Sequence, residues 1–449
     1  MRAKIALVVI SDHAFIPSFA PYNVSMKEKR QAYIDNVKKD TMDFLSSLGA
    51  QIVLYEWVYD VESARRIASR IKETDFDLLI ITVPIWPGGD SVIELAKAIS
   101  NVPIVLWTPV TPMGHLCGFF EVASDLKSLG IQFEAVFGKT PEAKEQIKSY
   151  MRVATVLKKL SKLRIGQIGY TPQAFIDVTA SEVDLRSKFG VEIAHLDTSE
   201  LILTMNKVTD KEVEEVVSEF KNKVGEVKVS DEELVVSAKI CVALRNIINK
   251  YKLDGYSLCC SPLNFEICHP CIAVSESTEK GVPGSCEGDL PSAIMLIIMY
   301  QLTGNPPAVL DIDSGNIERN ILILWHCGHL ATSLAESPMN IAITPPLYEG
   351  EVMGPGAVLF FPIKPGRVTI ASLNAKGDRM LITTGEALKV EKNKGSGAYS
   401  EIKLDSDLVE VLRVMAENGF GHHLCVVHGD IKTELEVICK ILKISAIVC

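Results

Sequence analysis

A chain of 449 residues is long enough for roughly two to four domains with large cores. Its 47% apolar and 23% charged content is that of a globular protein, and a net charge of −10 argues against a nucleic-acid partner. The opening run, MRAKIALVVISDH, is too short for a secretory leader and reads as a first strand. The longest apolar run, from Ala293 to Leu302, is about half of what a membrane span needs, so the expectation is a cytoplasmic protein with no membrane contact.

Strand-like runs at Lys4–Ile10, Gln51–Trp57, Asp77–Val83 and Pro103–Thr108 alternate with helical patterns at Lys27–Leu48, Val61–Glu73 and Asp90–Ile99. That alternation predicts a parallel sheet covered on both faces. A helix near Gly118–Leu129, a strand near Phe133 and a helix over Pro141–Leu160 complete a domain at 1–160. A second alternating unit, 161–305, has a strand at Arg164–Tyr170 and a helix at Ser181–Phe189. Charged helices follow at Asp210–Val224 and Asp231–Tyr251, then GYSLCCSP as a buried strand and an apolar helix at Leu290–Leu302. After Pro306 the texture changes. Strands at Val309–Ile312 and Asn320–Trp325 lead into short β runs separated by Lys-Pro-Gly and Lys-Gly-Asp turns. The predicted fold class is thus α/β: two parallel-sheet, Rossmann-like domains followed by a β-rich, barrel-like module at 306–449.

No phosphate-binding glycine loop follows an early strand, and there is no G-x-S-x-G elbow. Cys268-His269-Pro270-Cys271 has C-x-x-C spacing but no second pair at zinc-ribbon distance, so buried thiols are favoured over a structural zinc or a redox pair. The stretch Gly281–His329 holds the chemistry: Glu287, Asp311 and His326 all sit at the ends of apolar runs, and His422-His423 opens a strand near the C-terminus. Each has a plain structural reading alone. Glu287 with Asp289 favours a helix dipole, Asp311 ends a strand, and His326 is a core histidine. Together they form a set of oxygen and nitrogen donors at the rim of a core.

These residues carry a resemblance. The pieces G-V-P-x-x-C-E-G-D, A-V-L-D-I, W-H-C-G-H-L-A-T-S-L, K-P-G-R-V-T-I-A-S-L and G-H-H-L-C-V-V-H-G-D resemble the L-fucose and L-arabinose isomerase superfamily of metal-dependent aldose–ketose isomerases. The similarity covers roughly residues 160–440. It implies a divalent ion, manganese or another such as magnesium or cobalt, held by Glu287, Asp311 and His423. His326 resembles a fourth metal position of the arabinose type, and His422 is the alternative to His423 if only one of two adjacent strand residues faces the ion. Asp311, in place of a second glutamate, follows the fucose type, although the chain is shorter than fucose isomerases. The resemblance further implies a monosaccharide substrate and a homo-oligomer, hexamer or trimer. Glu287 and Asp311 would be the acid/base pair moving a proton between C2 and C1. The competing expectations are a non-catalytic sugar-binding or regulatory protein on the same fold, and a structural-zinc protein built on the Cys259–Cys286 cluster.

Overall fold

The computed structural model describes residues 2–11, 26–84, 89–99, 102–109, 116–348, 351–390 and 397–449. They form two compact units, Met1–Lys158 and Lys159–Cys449. The first is a five-stranded parallel sheet of Lys4–Ile10, Gln51–Val58, Leu78–Thr82, Ile104–Thr108 and Glu134–Phe137. The first strand lies between the second and third, and the fourth and fifth follow the third. Leu78–Thr82 is buried at every position, as a strand covered on both faces must be. Alternate side chains show why: Val8 packs in the cluster that includes Ile67, Val92 and Phe119, whereas Val9 packs with Trp57, Tyr33 and Val37 on the other face.

The second unit joins two sheets. Gly284–Ser285, Gly255–Leu258, Arg164–Ile168 and Glu192–Leu196 lie in that order and all run parallel. The predicted strand after Gly255 stops at Leu258, and Ser261–Glu266 turns into a short helix. Helices at Thr198–Met205 and Cys271–Glu279 were not expected from the sequence. The C-terminal β module is a closed barrel of six antiparallel strands. Round the barrel run Arg379–Ala387, Gly366–Leu373, His423–His428, Ala308–Asn316, Ile321–His326 and Ala398–Leu404, and the last pairs back to the first.

One helix ties these parts together. Leu290–Thr303 is buried at each position from Leu290 to Met299. It contacts the parallel strands on one side and the barrel strands Ala308–Asn316, Gly366–Leu373 and His423–His428 on the other. Packed between two sheets, the helix has no solvent face from Leu290 to Met299, which explains the mainly apolar sequence there. Asp289 caps its first turn, with the side chain accepting from the Ser292 N–H, and Gly304 closes it at φ 72°.

Candidate functional site

The site lies where the carboxyl ends of the parallel strands meet the rim of the barrel. Glu287 occupies the turn between Gly284–Ser285 and the central helix, with left-handed backbone at φ 58°, uncommon for a residue with a side chain. Gly288 follows at φ 71°, and a Cβ there would sit 2.8 Å from the Tyr170 carbonyl and 2.9 Å from the Thr171 backbone. Only glycine lets the turn press this closely on the segment after Arg164–Ile168, and that contact fixes the direction of Glu287.

The barrel supplies the facing groups. Asp311 and His423 are register partners on adjacent antiparallel strands, so their side chains leave the same face side by side. His423 Nε2 lies 3.4 Å from Glu287 Oε2 and 3.3 Å from Asp311 Oδ1. Its other nitrogen, Nδ1, is 2.8 Å from Asp289 Oδ2. Asp289 thus caps the central helix and orients His423 at once; as Nδ1–H donates to the carboxylate, Nε2 presents its lone pair to the site. His326 ends its strand one turn away, its ring 5.7 Å from that of His423. Its Nδ1 accepts the Cys327 backbone N–H at 2.8 Å, so in the neutral ring Nε2 bears the proton and faces inward.

The expectation that His422 and His423 face opposite ways is not met. The strand begins at His423, and His422 lies outside its alternation in the preceding turn. Asp177 holds it there, with Oδ2 2.5 Å from His422 Nδ1 and also accepting the His422 backbone N–H. His422 Nε2 therefore reaches Glu287 Oε2 at 3.5 Å and Asp311 Oδ1 at 3.9 Å. The sequence reading missed Asp177. It sits in the short turn Ile176–Val178 with no apolar run to frame it.

Burial opposes ionisation of Glu287, but hydrogen bonding to His422 and His423 holds its carboxyl well below the usual range. Asp311 is also lowered: burial works against it and the positive field of His326 outweighs burial. Burial favours the neutral form of His326, yet the charge of Asp311 lifts it from 6.5 to about 10. Burial likewise opposes the charged form of His423, while its bond to Asp289 and then its bonds to Asp311 and Glu287 raise it well above 6.5.

The donor set fits a divalent ion. Among the described residues, Glu287 Oε2, Asp311 Oδ1, His326 Nε2 and His423 Nε2 are buried with no well-formed hydrogen bond beyond the long contacts of His423 to the two carboxylates. Orphaned polar atoms that converge are costly unless something binds them. The donors fall into overlapping groups, Glu287–His422–His423 and Asp311–His326–His423, each within 4.8 Å. The edges of 3.3 and 3.4 Å from His423 are near the ~3 Å that an octahedron with bonds of about 2.1 Å requires. A cavity of about 170 Å³ opens onto this set, lined by Glu287, Asp311 and His326 and walled by Trp325 and Tyr348. The rings of Trp325 and Tyr348 are 5.8 Å apart, an apolar surface suited to the C–H face of a sugar.

Comparisons with known proteins bear on what such a site does. Residues 175–305 match the family model of the L-arabinose isomerase central domain. Over 424 residues the chain is 26% identical to a sulfoquinovose isomerase of Priestia aryabhattai, covering 91% of this chain and 94% of that protein. A sulfoquinovose isomerase of Alkalicoccus urumqiensis is 26% identical over 361 residues, 77% of this chain and 80% of that one. An L-arabinose isomerase of Thermotoga maritima is 25% identical over 256 residues, 56% of this chain and 51% of its own. The likeness is thus to the arabinose-isomerase-like group of aldose–ketose isomerases, and these relatives support an enzyme of that activity.

Proposed function

We propose that the protein interconverts a free aldose and its ketose at the Glu287–Asp311–His423 centre, with manganese or a similar divalent cation as cofactor. The carrying observation is a pair of donor groups, Glu287–His422–His423 and Asp311–His326–His423, that share His423 beside a cavity. Two carboxylates and an imidazole suit a hard or borderline dication better than zinc. Bound there, the ion supplies Lewis-acid stabilisation of negative charge developing on the two reacting sugar oxygens. His326 joins the ligands only if it gives up the Cys327 N–H bond, so we assign its Nε2–H to hold a sugar oxygen. Glu287 and Asp311 flank the carbons; one takes the C2 proton and returns it to C1. His422, braced by Asp177, hydrogen-bonds at the rim. Trp325 and Tyr348 position the sugar face.

Of the relatives' substrates, the near full-length likeness to the sulfoquinovose isomerases favours a sulfonated hexose of that kind over L-arabinose. The test incubates the manganese-loaded enzyme with sulfoquinovose, L-arabinose, L-fucose and D-arabinose and assays ketose. Turnover of none of these aldoses sinks the isomerase reading; a preference for L-arabinose sinks only the substrate assignment. In Glu287→Gln and Asp311→Asn, exchange of the C2 proton with solvent at saturating manganese should fall in at least one by roughly 10²-fold. Near-normal exchange in both removes the carboxylates from the proton transfer.

A further inference from the structure

The cysteines that the isomerase reading leaves unused are not scattered. Cys271 Sγ lies 3.5 Å from Cys327 Sγ, and Cys260 Sγ lies 3.1 Å from Cys286 Sγ. The first pair reaches the substrate space. Cys327 is half-buried and lines the same cavity as Glu287, Asp311 and His326, whereas Cys271 is buried behind it at the start of the helix Cys271–Glu279. Cys327 Sγ is also 3.2 Å from His326 Nδ1. His329, 3% exposed, shares a 4.8 Å donor group with His326 and Cys327. A reachable thiol among imidazoles, with a second thiol directly behind it, is the arrangement of an oxidisable cysteine and its resolving partner.

We propose that Cys327 is an oxidation site, that hydrogen peroxide is its co-substrate, and that Cys271 resolves it to a disulfide that switches the isomerase off. In the first step the Cys327 sulfur attacks one peroxide oxygen and the O–O bond breaks. The thiol proton joins the departing hydroxide, giving a sulfenic acid and water. In the second step the Cys271 sulfur displaces that hydroxyl, which leaves as water with the Cys271 proton. The dithiol loses two electrons and the peroxide gains them. Forming the bond closes the sulfurs from 3.5 Å to about 2.05 Å. The backbone beside Cys327 is closely packed. Gly328, at φ 110°, is wedged so that a Cβ there would lie 2.3 Å from the Leu359 carbonyl. The pull therefore reaches His326, whose Nδ1 is tied to the Cys327 N–H.

The test adds hydrogen peroxide to the reduced, manganese-loaded enzyme and maps its peptides without reductant. The expected result is a crosslink between the peptides carrying Cys271 and Cys327, lacking two hydrogen atoms. Isomerase activity should fall in step with it by on the order of 10²-fold, as for a misplacement of about 1 Å. Dithiothreitol should restore both. Reduced Cys271→Ser should keep its activity, and peroxide should leave it with a dimedone-reactive Cys327 and no crosslink. If that variant does not fold, the wild-type map decides alone. A crosslink between Cys260 and Cys286 instead, activity lost without a crosslink, or a crosslink with undiminished activity each overturns the proposal. The loss-of-activity arm rests on the isomerase reading, but the crosslink is read by mass, so failure of one is distinguishable from failure of the other.

Discussion

Asp289 does two jobs with one side chain. One carboxylate oxygen accepts the Ser292 N–H at the start of the central helix, and the other lies 2.8 Å from His423 Nδ1. Its removal should therefore act on the ion through His423. Asp289→Asn keeps a cap, because asparagine also caps well, but no longer fixes the ring tautomer. Manganese affinity should drop by about 10–100-fold, measured by calorimetry, with activity recovered at high metal. His326→Gln should separate from this: if Nε2–H holds a sugar oxygen, KM rises while the manganese Kd stays within a few-fold. A manganese Kd that moves as far as in Asp289→Asn would return His326 to the ligands. These partners were hard to read from the chain. Asp289 meets its histidine 134 residues away, and Asp177 meets His422 across 245. Local pattern carries no trace of such pairings, whereas Glu287, Asp311 and His326 announce themselves by ending apolar runs.

At the scale of elements, what was legible followed period and punctuation. Lys4–Ile10, Leu78–Thr82 and Ile104–Thr108 are largely apolar runs, and the central helix is bracketed by Asp289 and Gly304. Cys271–Glu279 escaped because CIAVSESTE has no clear 3.6-residue face; its residues from Cys271 to Ser275 are all buried. The barrel-like module was legible from its short β runs and turns, and the structure closes it by pairing Gly385–Ala387 with Ile402–Leu404. The central helix makes the most specific energetic claim. Ile297 is 1% exposed, and its Cδ1 lies 2.4 Å from where a Cβ on Gly255 would stand. Ile297→Ala should cost about 2–5 kcal/mol in denaturant unfolding. Gly255→Ala should be destabilising for the opposite reason, overpacking, by about 1–3 kcal/mol. Combining the two should cost less than their sum, because the cavity made by one takes up the methyl of the other; strict additivity would mean that the two residues do not share a packing site.

For the molecule as a whole, the centre makes stability depend on metal and pH together, in opposite directions. Without metal, His326 and His423 bind protons more tightly folded than unfolded, His326 at about 10 against 6.5. Groups raised in this way contribute stability that is fully present below about pH 6.5 and lost as pH rises toward the folded value. Glu287 and Asp311, lowered in the fold, contribute stability present above the ordinary carboxylate range and lost only in acid. In chelator, the unfolding temperature of the unit Lys159–Cys449 should therefore decline from pH 6.5 to pH 9. A ligating imidazole must shed its proton, so manganese affinity rises over the same interval. The stabilisation by saturating ligand grows as the logarithm of its concentration over Kd. The gap between the melting temperatures with and without manganese should accordingly widen steadily from pH 6.5 to pH 9 at fixed free metal. Scanning fluorimetry across that range measures it directly. In Glu287→Gln with Asp311→Asn the gap should collapse at every pH, since the negative charge that attracts the ion is gone. A gap that is constant with pH in the native protein would mean that no histidine gives up a proton to the ion, and would remove His423 from the centre.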